Sequence, residues 1–195
     1  YKLFICFYLK FIIFSFYTIS CAPNIGPVVS FPVLNLEEYL EVKRAFPKER
    51  YSINILSIAD QRTNNTIVTI DDKRTSKGEG EVDNLIYDRL EFLLKDRGIA
   101  IDKDAPVGIE LVLQEWDSVI KSGFGSEGKG NAKIRIDVID PTNTKIYSGT
   151  FSGFSVFKLG GIGSEDVQDI LREAMNQALI KIVDDKKINN ILTSY

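Results

Sequence analysis

In Lys133-Ile-Arg-Ile-Asp-Val-Ile139 charged and β-branched apolar residues alternate as far as Val138. A period of two over six residues is the pattern of a strand with one buried face and one wet face. Further along, the pattern changes period. Val167, Ile170, Leu171, Ala174, Met175, Ala178, Leu179, Ile182 and Val183 recur at helical spacing. They predict one long helix from Ser164, its N-cap, to about Asp185. A half-wet strand and an amphipathic helix bury each other, so the two patterns together predict a sheet with helices on one face.

The neighbouring segments extend that layer. Lys145 to Phe157 reads as a strand bent at a glycine, joined to the first by the turn Asp140-Pro-Thr-Asn143. Gly108 to Val119 reads as a long strand carrying Trp116, and Gly123 to Gly130 as a glycine-rich hairpin tip. Upstream, Glu81 to Arg97 predicts a helix with the stripe Val82, Leu85, Ile86, Leu90, Leu93 and Leu94, stopped at Gly98. Ile99 to Asp102 reads as a short strand. Tyr51 to Ile58 and Thr66 to Ile70 read as strands on either side of a polar turn, and the charged segment Asp71 to Gly80 as a loop. The order β-β-α-β-β-β-β-α predicts an α+β domain over residues 51–195. Its sheet is antiparallel or mixed, with two main helices packed on one face.

The N-terminal fifty residues differ from the rest. Tyr1 to Ser20 contain Lys2 and Lys10 and no acid, among apolar residues. The apolar run after Lys10 is far shorter than the roughly 20 residues needed to span a bilayer. This is the pattern of a signal peptide over residues 1–20. The chain opens on Tyr1 rather than Met, and the basic region is expected to begin upstream. Thr18-Ile-Ser-Cys21 then resembles the lipobox of bacterial lipoproteins, with Thr18 where Leu is usual. Cys21 is the predicted lipidation site, because a thiolate is the nucleophile that accepts the diacylglycerol. Residues 21–50 read as a lipidated cysteine and a tether, with Pro23, Pro27, Pro32 and Pro47 extending the chain. A short helix over Leu36 to Ala45 is an alternative for its middle.

Composition excludes several functions. The 195 residues are 44% hydrophobic and contain no histidine, so there is no His-based triad and little basis for a zinc site. The cysteines are Cys6 and Cys21, which leaves the folded part without a disulfide. Once Lys2 and Lys10 leave with the signal peptide, 22 basic residues face 27 acidic ones, a net charge of −5. A nucleic-acid partner is not expected from that charge. No cofactor is expected either.

Some segments carry hints of chemistry. Gly123 to Gly130 comes close to a phosphate-binding loop, but Gly130 stands where Ser or Thr must hold magnesium, and the segment joins two strands. Gly160 to Gly163 precedes a helix whose first turn already holds Glu165 and Asp166, which repel anions. The pairs Asp71-Asp72 and Asp184-Asp185 lack the spacing of a calcium loop. Trp116 reads as the packed centre of the sheet, with an exposed contact residue as the alternative. Asp60, Gln61 and Arg62 read as a capped turn, with a contact patch that also includes Trp116 as the alternative.

Ile58-Ala-Asp60-Gln61-Arg62-Thr63 is similar to the Asp-Gln-Arg-Thr segment of the YajG-like family of bacterial lipoproteins. The lipobox, the tether, the helix ending at Arg97-Gly98 and the long C-terminal helix follow in the same order. The departures are the looser lipobox and a longer glycine hairpin. The resemblance implies an outer-membrane lipoprotein facing the periplasm, an address with which Ala22 after the cysteine agrees. The expected partners are a membrane, through the lipid, and an envelope protein or cell-wall component. The expected role is a non-catalytic binding or scaffold module. The alternatives are an accessory subunit of an outer-membrane assembly or export complex, and a hydrolase working through carboxylates such as Asp60 or Glu115.

Overall fold

The computed structural model describes residues 25–26, 28–32, 34, 48–63, 65–123, 125–158 and 163–195. Cys21, the expected signal peptide, the helix expected over Leu36 to Ala45 and most of Gly160 to Gly163 lie outside the described residues. The described elements are β1 (Val28–Ser30), β2 (Tyr51–Asp60), β3 (Thr66–Ile70), β4 (Arg74–Glu79), α1 (Val82–Asp96), β5 (Ile99–Ile101), β6 (Gly108–Lys121), β7 (Glu127–Ile139), β8 (Lys145–Lys158), α2 (Ser164–Val183) and α3 (Lys186–Leu192).

All eight strands join one mixed sheet, with the long helices on one face, as an α+β domain. β6 is its spine. One edge of β6 pairs with antiparallel β7 along its whole length, and β7 pairs in turn with antiparallel β8. The other edge is shared end to end. β2 runs parallel to Gly108 through Leu113, and β3 then runs parallel to Ser118 through Ile120. The sheet therefore forks. β2 continues outward to parallel β5, and β3 continues to antiparallel β4 and then to β1.

The period-two pattern places Ile134, Ile136 and Val138 of β7 beneath the helices, while Lys133 and Arg135 stay on the wet face. A bulge between Leu113 and Glu115 resets the parity of β6, so that Leu113 and Trp116 both face the core. α2 lies very close to β7 and β8. A Cβ on Gly153 would stand 1.8 Å from the Ala174 carbonyl oxygen, and one on Gly130 2.7 Å from that of Ile170. Two sheet side chains donate to the helix backbone across this interface: Trp116 Nε1–H to Leu171 O at 3.0 Å, and Ser155 Oγ–H to Ile170 O at 2.6 Å. α1 packs on β2 and β5 beside α2, and its buried Arg89 donates to Asn176 Oδ1 at 2.9 Å. Among the described residues β8 is an edge strand, and α2 reaches over it. Lys181 Nζ donates to Ser152 O at 2.6 Å, and Phe154 N–H donates to Gln177 Oε1 at 3.3 Å.

Four expectations are corrected. The segment assigned to the tether is partly folded: β1 pairs with β4, and Val29, Phe31 and Leu34 are buried in the common core. The domain therefore begins before residue 51, because β-branched Val28 and Val29 supply a short edge strand between prolines, where proline is tolerated. Asp71 to Gly80 is a hairpin arm rather than a loop. Asp71 and Asp72 take positive φ (49° and 56°) in a tight turn, and β4 returns along β3. The glycine hairpin is shorter than expected, because Glu127 already belongs to β7. The N-cap of α2 is Gly163 rather than Ser164, which is already helical; the helix ends where expected, and a separate short helix α3 follows, capped by Asp185 accepting from Lys187 N–H (2.9 Å) and Ile188 N–H (3.0 Å).

Candidate functional site

The polar motif at the end of β2 sits in the fork. Gln61 N–H donates to Leu113 O at 2.9 Å, the last rung of the β2–β6 ladder, and its side chain faces solvent. The chain then turns away from β6. Asp60 makes the turn with its carboxylate, accepting from Arg62 N–H (3.1 Å), Nε–H (2.9 Å) and Nη2–H (2.6 Å). This is an Asx turn closed by a bidentate guanidinium. The hydrogen bonds from Arg62 hold the Asp60 carboxyl below its ordinary value, outweighing a partial burial that acts the other way.

Arg62 is the unusual member. Its side chain is only 7% exposed, and Nη1 is buried with no hydrogen-bond partner. An aromatic face is what it meets instead. The guanidinium carbon lies 4.8 Å from the centre of the Phe31 ring. Phe31 stacks on Trp116, with ring centroids 4.6 Å apart and planes inclined at 21°. Trp116 is 1% exposed and anchored to α2 through Leu171. Gly78 of β4 makes the space, since a Cβ there would stand 2.5 Å from Phe31 Cζ. Asp60, Arg62, Phe31 and Trp116 thus form one clasp between the β2 end, the N-terminal segment, the sheet spine and α2.

The structure brings Asp60, Arg62 and Trp116 together and leaves Gln61 outside. Trp116 is not an exposed contact residue, because the bulge at Gln114 turns it inward and Phe31 covers it. Phe31 is the member that sequence reading missed. Its only signal is an aromatic residue directly after the run Val28-Val-Ser30. Two clefts adjoin the clasp. One, of about 330 Å³, is lined by Phe31, Asp60, Arg62, Gly78, Glu81 and Asp83 among others. The other, of about 70 Å³, is lined by Arg62, Thr63, Gln114, Glu115 and Asp117 among others. Three carboxylates line the larger, and its one guanidinium is already bound to Asp60, so it repels anions. Glu115, the second carboxylate considered for hydrolysis, lies 3.3 Å from Lys133 Nζ.

The remaining candidates have structural partners. Asp71 accepts from Ser122 N–H at 2.8 Å and from the Ser122 hydroxyl, which ties the β3–β4 turn to the β6–β7 connection. Asp184 accepts from Arg97 Nε–H at 2.9 Å. Lys129 pairs with Glu127 at 2.7 Å within β7, and Gly130 packs under α2, so this segment is not a phosphate loop. Gly163 N–H donates to Asp166 Oδ2 at 2.7 Å, so an acid already occupies the start of α2. Among the described residues no group of three or more acids or cysteines could hold a metal ion, and no helix is long and apolar enough to cross a membrane.

A forked mixed sheet with two long helices on one face, clasped onto its own N-terminal segment, defines a small α+β domain. The chain belongs to a family described as uncharacterized lipoprotein, whose model matches residues 47–193. That membership is consistent with the YajG-like resemblance and implies a lipid-anchored address in the cell envelope. Phe31 lies N-terminal to the matched range. Among solved structures, the chain is similar to a Xanthomonas campestris protein of family DUF330, at 11% identity and a TM-score of 0.56, covering 88% of this chain and 96% of that one. It is also similar to a minor lipoprotein from Acinetobacter baumannii, at 14% identity and a TM-score of 0.45, covering 74% and 96%. The first likeness supports the fold alone. No curated protein matches the chain.

Proposed function

We propose that this lipoprotein is a non-catalytic binding module. It is attached through Cys21 to the outer membrane, faces the periplasm, and holds an envelope protein or cell-wall component against the open face of its sheet. One observation carries the reading. The helices cover one face of β6–β8, and the other face presents Phe154 (50% exposed) and Val156 (45%) beside Lys129, Lys133 and Glu115. Exposed apolar residues within a charged, rigid surface suit recognition. The carboxylate hydrolase is less well supported. Its acid must stay protonated near neutral pH, whereas Arg62 holds Asp60 ionised.

The test is a photoreactive residue placed at Phe154, and separately at Asp104 in the Asp102–Ala105 turn, in living cells. A discrete adduct from position 154 and none from 104 is expected. No adduct above the unirradiated control rejects the binding reading. Cys21→Ala followed by membrane fractionation tests the anchor, with release from the membrane expected.

A further inference from the structure

The N-terminal segment is held by few backbone bonds. β1 runs parallel to β4, with Val28 opposite Lys77 and Ser30 opposite Glu79, and parallel pairing is the weaker kind per residue. Phe31 N–H donates to Glu79 O at 3.1 Å. Pro32 follows and has no N–H with which to continue the ladder. Side chains do more of the holding. Val29, Phe31 and Leu34 are buried, while Val28 and Ser30 are exposed. The slot that takes Phe31 is built entirely from other parts of the chain. Trp116 is its floor, the Arg62 guanidinium its roof and Gly78 its wall. Floor and roof are each fixed without Phe31, Trp116 by its bond to Leu171 O and Arg62 by its two bonds to Asp60.

Phe31 does not fill the slot completely. The cleft of about 330 Å³ opens beside its ring. Four charged residues line that cleft: Asp60, Arg62, Glu81 and Asp83. Asp60 and Arg62 neutralise each other at 2.6 Å. Glu81 is bonded to the neutral amide of Asn84, and neither Glu81 nor Asp83 makes an ion pair among the described residues. Two carboxylates are therefore left at the mouth. The register of β1 on β4, carried two residues beyond Ser30 and Glu79, sets position 32 opposite Glu81. The residue there is proline, which offers these acids neither a charge nor a donor.

We infer that the slot between β4 and the fork is a recognition site for an extended segment of a partner protein, and that Val29, Phe31 and Leu34 fill it in cis until displaced. The partner segment repeats the seated pattern, a β-branched residue, one residue and an aromatic residue, and carries lysine or arginine where this chain has Pro32. Strand addition supplies backbone bonds to β4, and the pockets for alternate side chains choose the sequence. The basic residue pairs with Glu81 and Asp83. A cis occupant competes at high effective concentration, so a displacing segment must bind better than the chain's own. Its N–H and its charge at position 32 are the two gains available. The slot lies on the helix side of the sheet, because Trp116 faces α2, so it is separate from the open face and its partner.

The test uses three synthetic peptides. One has the chain's own sequence over residues 25–34, one has the same sequence with Pro32→Arg, and the control adds Phe31→Ala to the second. Trp116 is the sole tryptophan of the chain, so its emission reports the slot. In the full chain carrying Phe31→Ala, the arginine peptide should restore the blue-shifted emission of the original chain. The control peptide should bind at least about tenfold more weakly, for want of the ring. The own-sequence peptide should bind roughly fivefold more weakly than the arginine peptide at about 0.05 M salt, and within about twofold of it at about 0.5 M, where charge is screened. Hydrogen exchange of the isotope-labelled original chain keeps the test decisive if the variant does not fold. There the arginine peptide in excess should speed exchange of the Phe31 amide severalfold and leave the Ile134 amide of β7 unchanged, because only the cis segment is released. No response to the arginine peptide in either experiment, an equal response to the control, or no advantage of arginine over proline at low salt overturns the inference.

Discussion

The two ends of the sheet hold themselves together by opposite means. At β7–β8 the contact is made by missing side chains: Gly130 and Gly153 let the backbone of α2 descend until its carbonyls lie within bonding reach of Trp116 and Ser155. At the fork the contact is made by large ones, as Arg62, Phe31 and Trp116 fill the space left where β2 departs and β3 has not yet begun. A glycine contact is unforgiving, because nothing but backbone can move. A stacked contact is modular, because each layer can be removed and its neighbours can close in. The glycine region therefore defines the domain's rigid half. The stacked region decides whether the N-terminal segment belongs to it.

That contrast can be broken most severely at Gly153. Gly153→Val drives a side chain into Ala174 O, and a loss of roughly 4 kcal/mol, or no folded protein, is expected in chemical denaturation. Gly149→Ala in the same strand is the control. A Cβ there meets only the side chains of Tyr147 and Phe151, which can shift where backbone cannot, so its cost should stay below about 2 kcal/mol. Next in size is Phe31→Ala, which removes the middle layer of the stack and should cost about 3 kcal/mol. Hydrogen exchange should show that loss as unprotected β1 and β4 amides, with β7 and β8 still protected. Uniform loss of protection would mean that the stacked half is as integral as the glycine half.

Smaller effects sharpen the comparison. Arg62→Met and Phe31→Ala should be coupled by about 1 kcal/mol in a double-mutant cycle, since the cation loses its ring in either variant. The Asp60 link has a pH signature. Its carboxyl lies below 3.8 in the folded state. Its stabilising contribution is therefore fully present above that pH and fades as pH falls through the lower folded value. The stability difference between the original chain and Asp60→Asn should accordingly be constant from neutral pH to about 4 and shrink below it. A difference that persists at pH 2 would assign the effect of Asp60 to the turn geometry and not to its charge.

The rigid half was readable from residue order because its determinants are periodic. The alternation in β7 and the nine-residue stripe of α2 each report a buried face directly. β4 gave no such signal. Arg-Thr-Ser-Lys-Gly-Glu turns only Ser76 and Gly78 toward other groups, and it is a strand because β3 and β1 pair with it on both sides. Within the clasp, the Asp60–Arg62 pairing was legible, since two residues suffice for an Asx turn. The Phe31 layer was not, because the partner that gives it meaning is 31 residues away and the prolines around it suit a tether equally well. Buried Arg89 was hidden for a similar reason: its partner Asn176 sits on the other helix.

The hold of α2 on the β8 edge has a consequence for how this protein lives among its own copies. A lipid-anchored molecule is confined to a surface, where neighbours meet in two dimensions with their sheets at similar heights, and a bare fourteen-residue edge would invite strand-to-strand association there. Gln177 and Lys181 occupy Phe154 N–H and Ser152 O from within the same chain. Those two edge groups are thereby unavailable to a neighbour's strand, and Gln177→Ala with Lys181→Ala is expected to increase clustering as surface density rises.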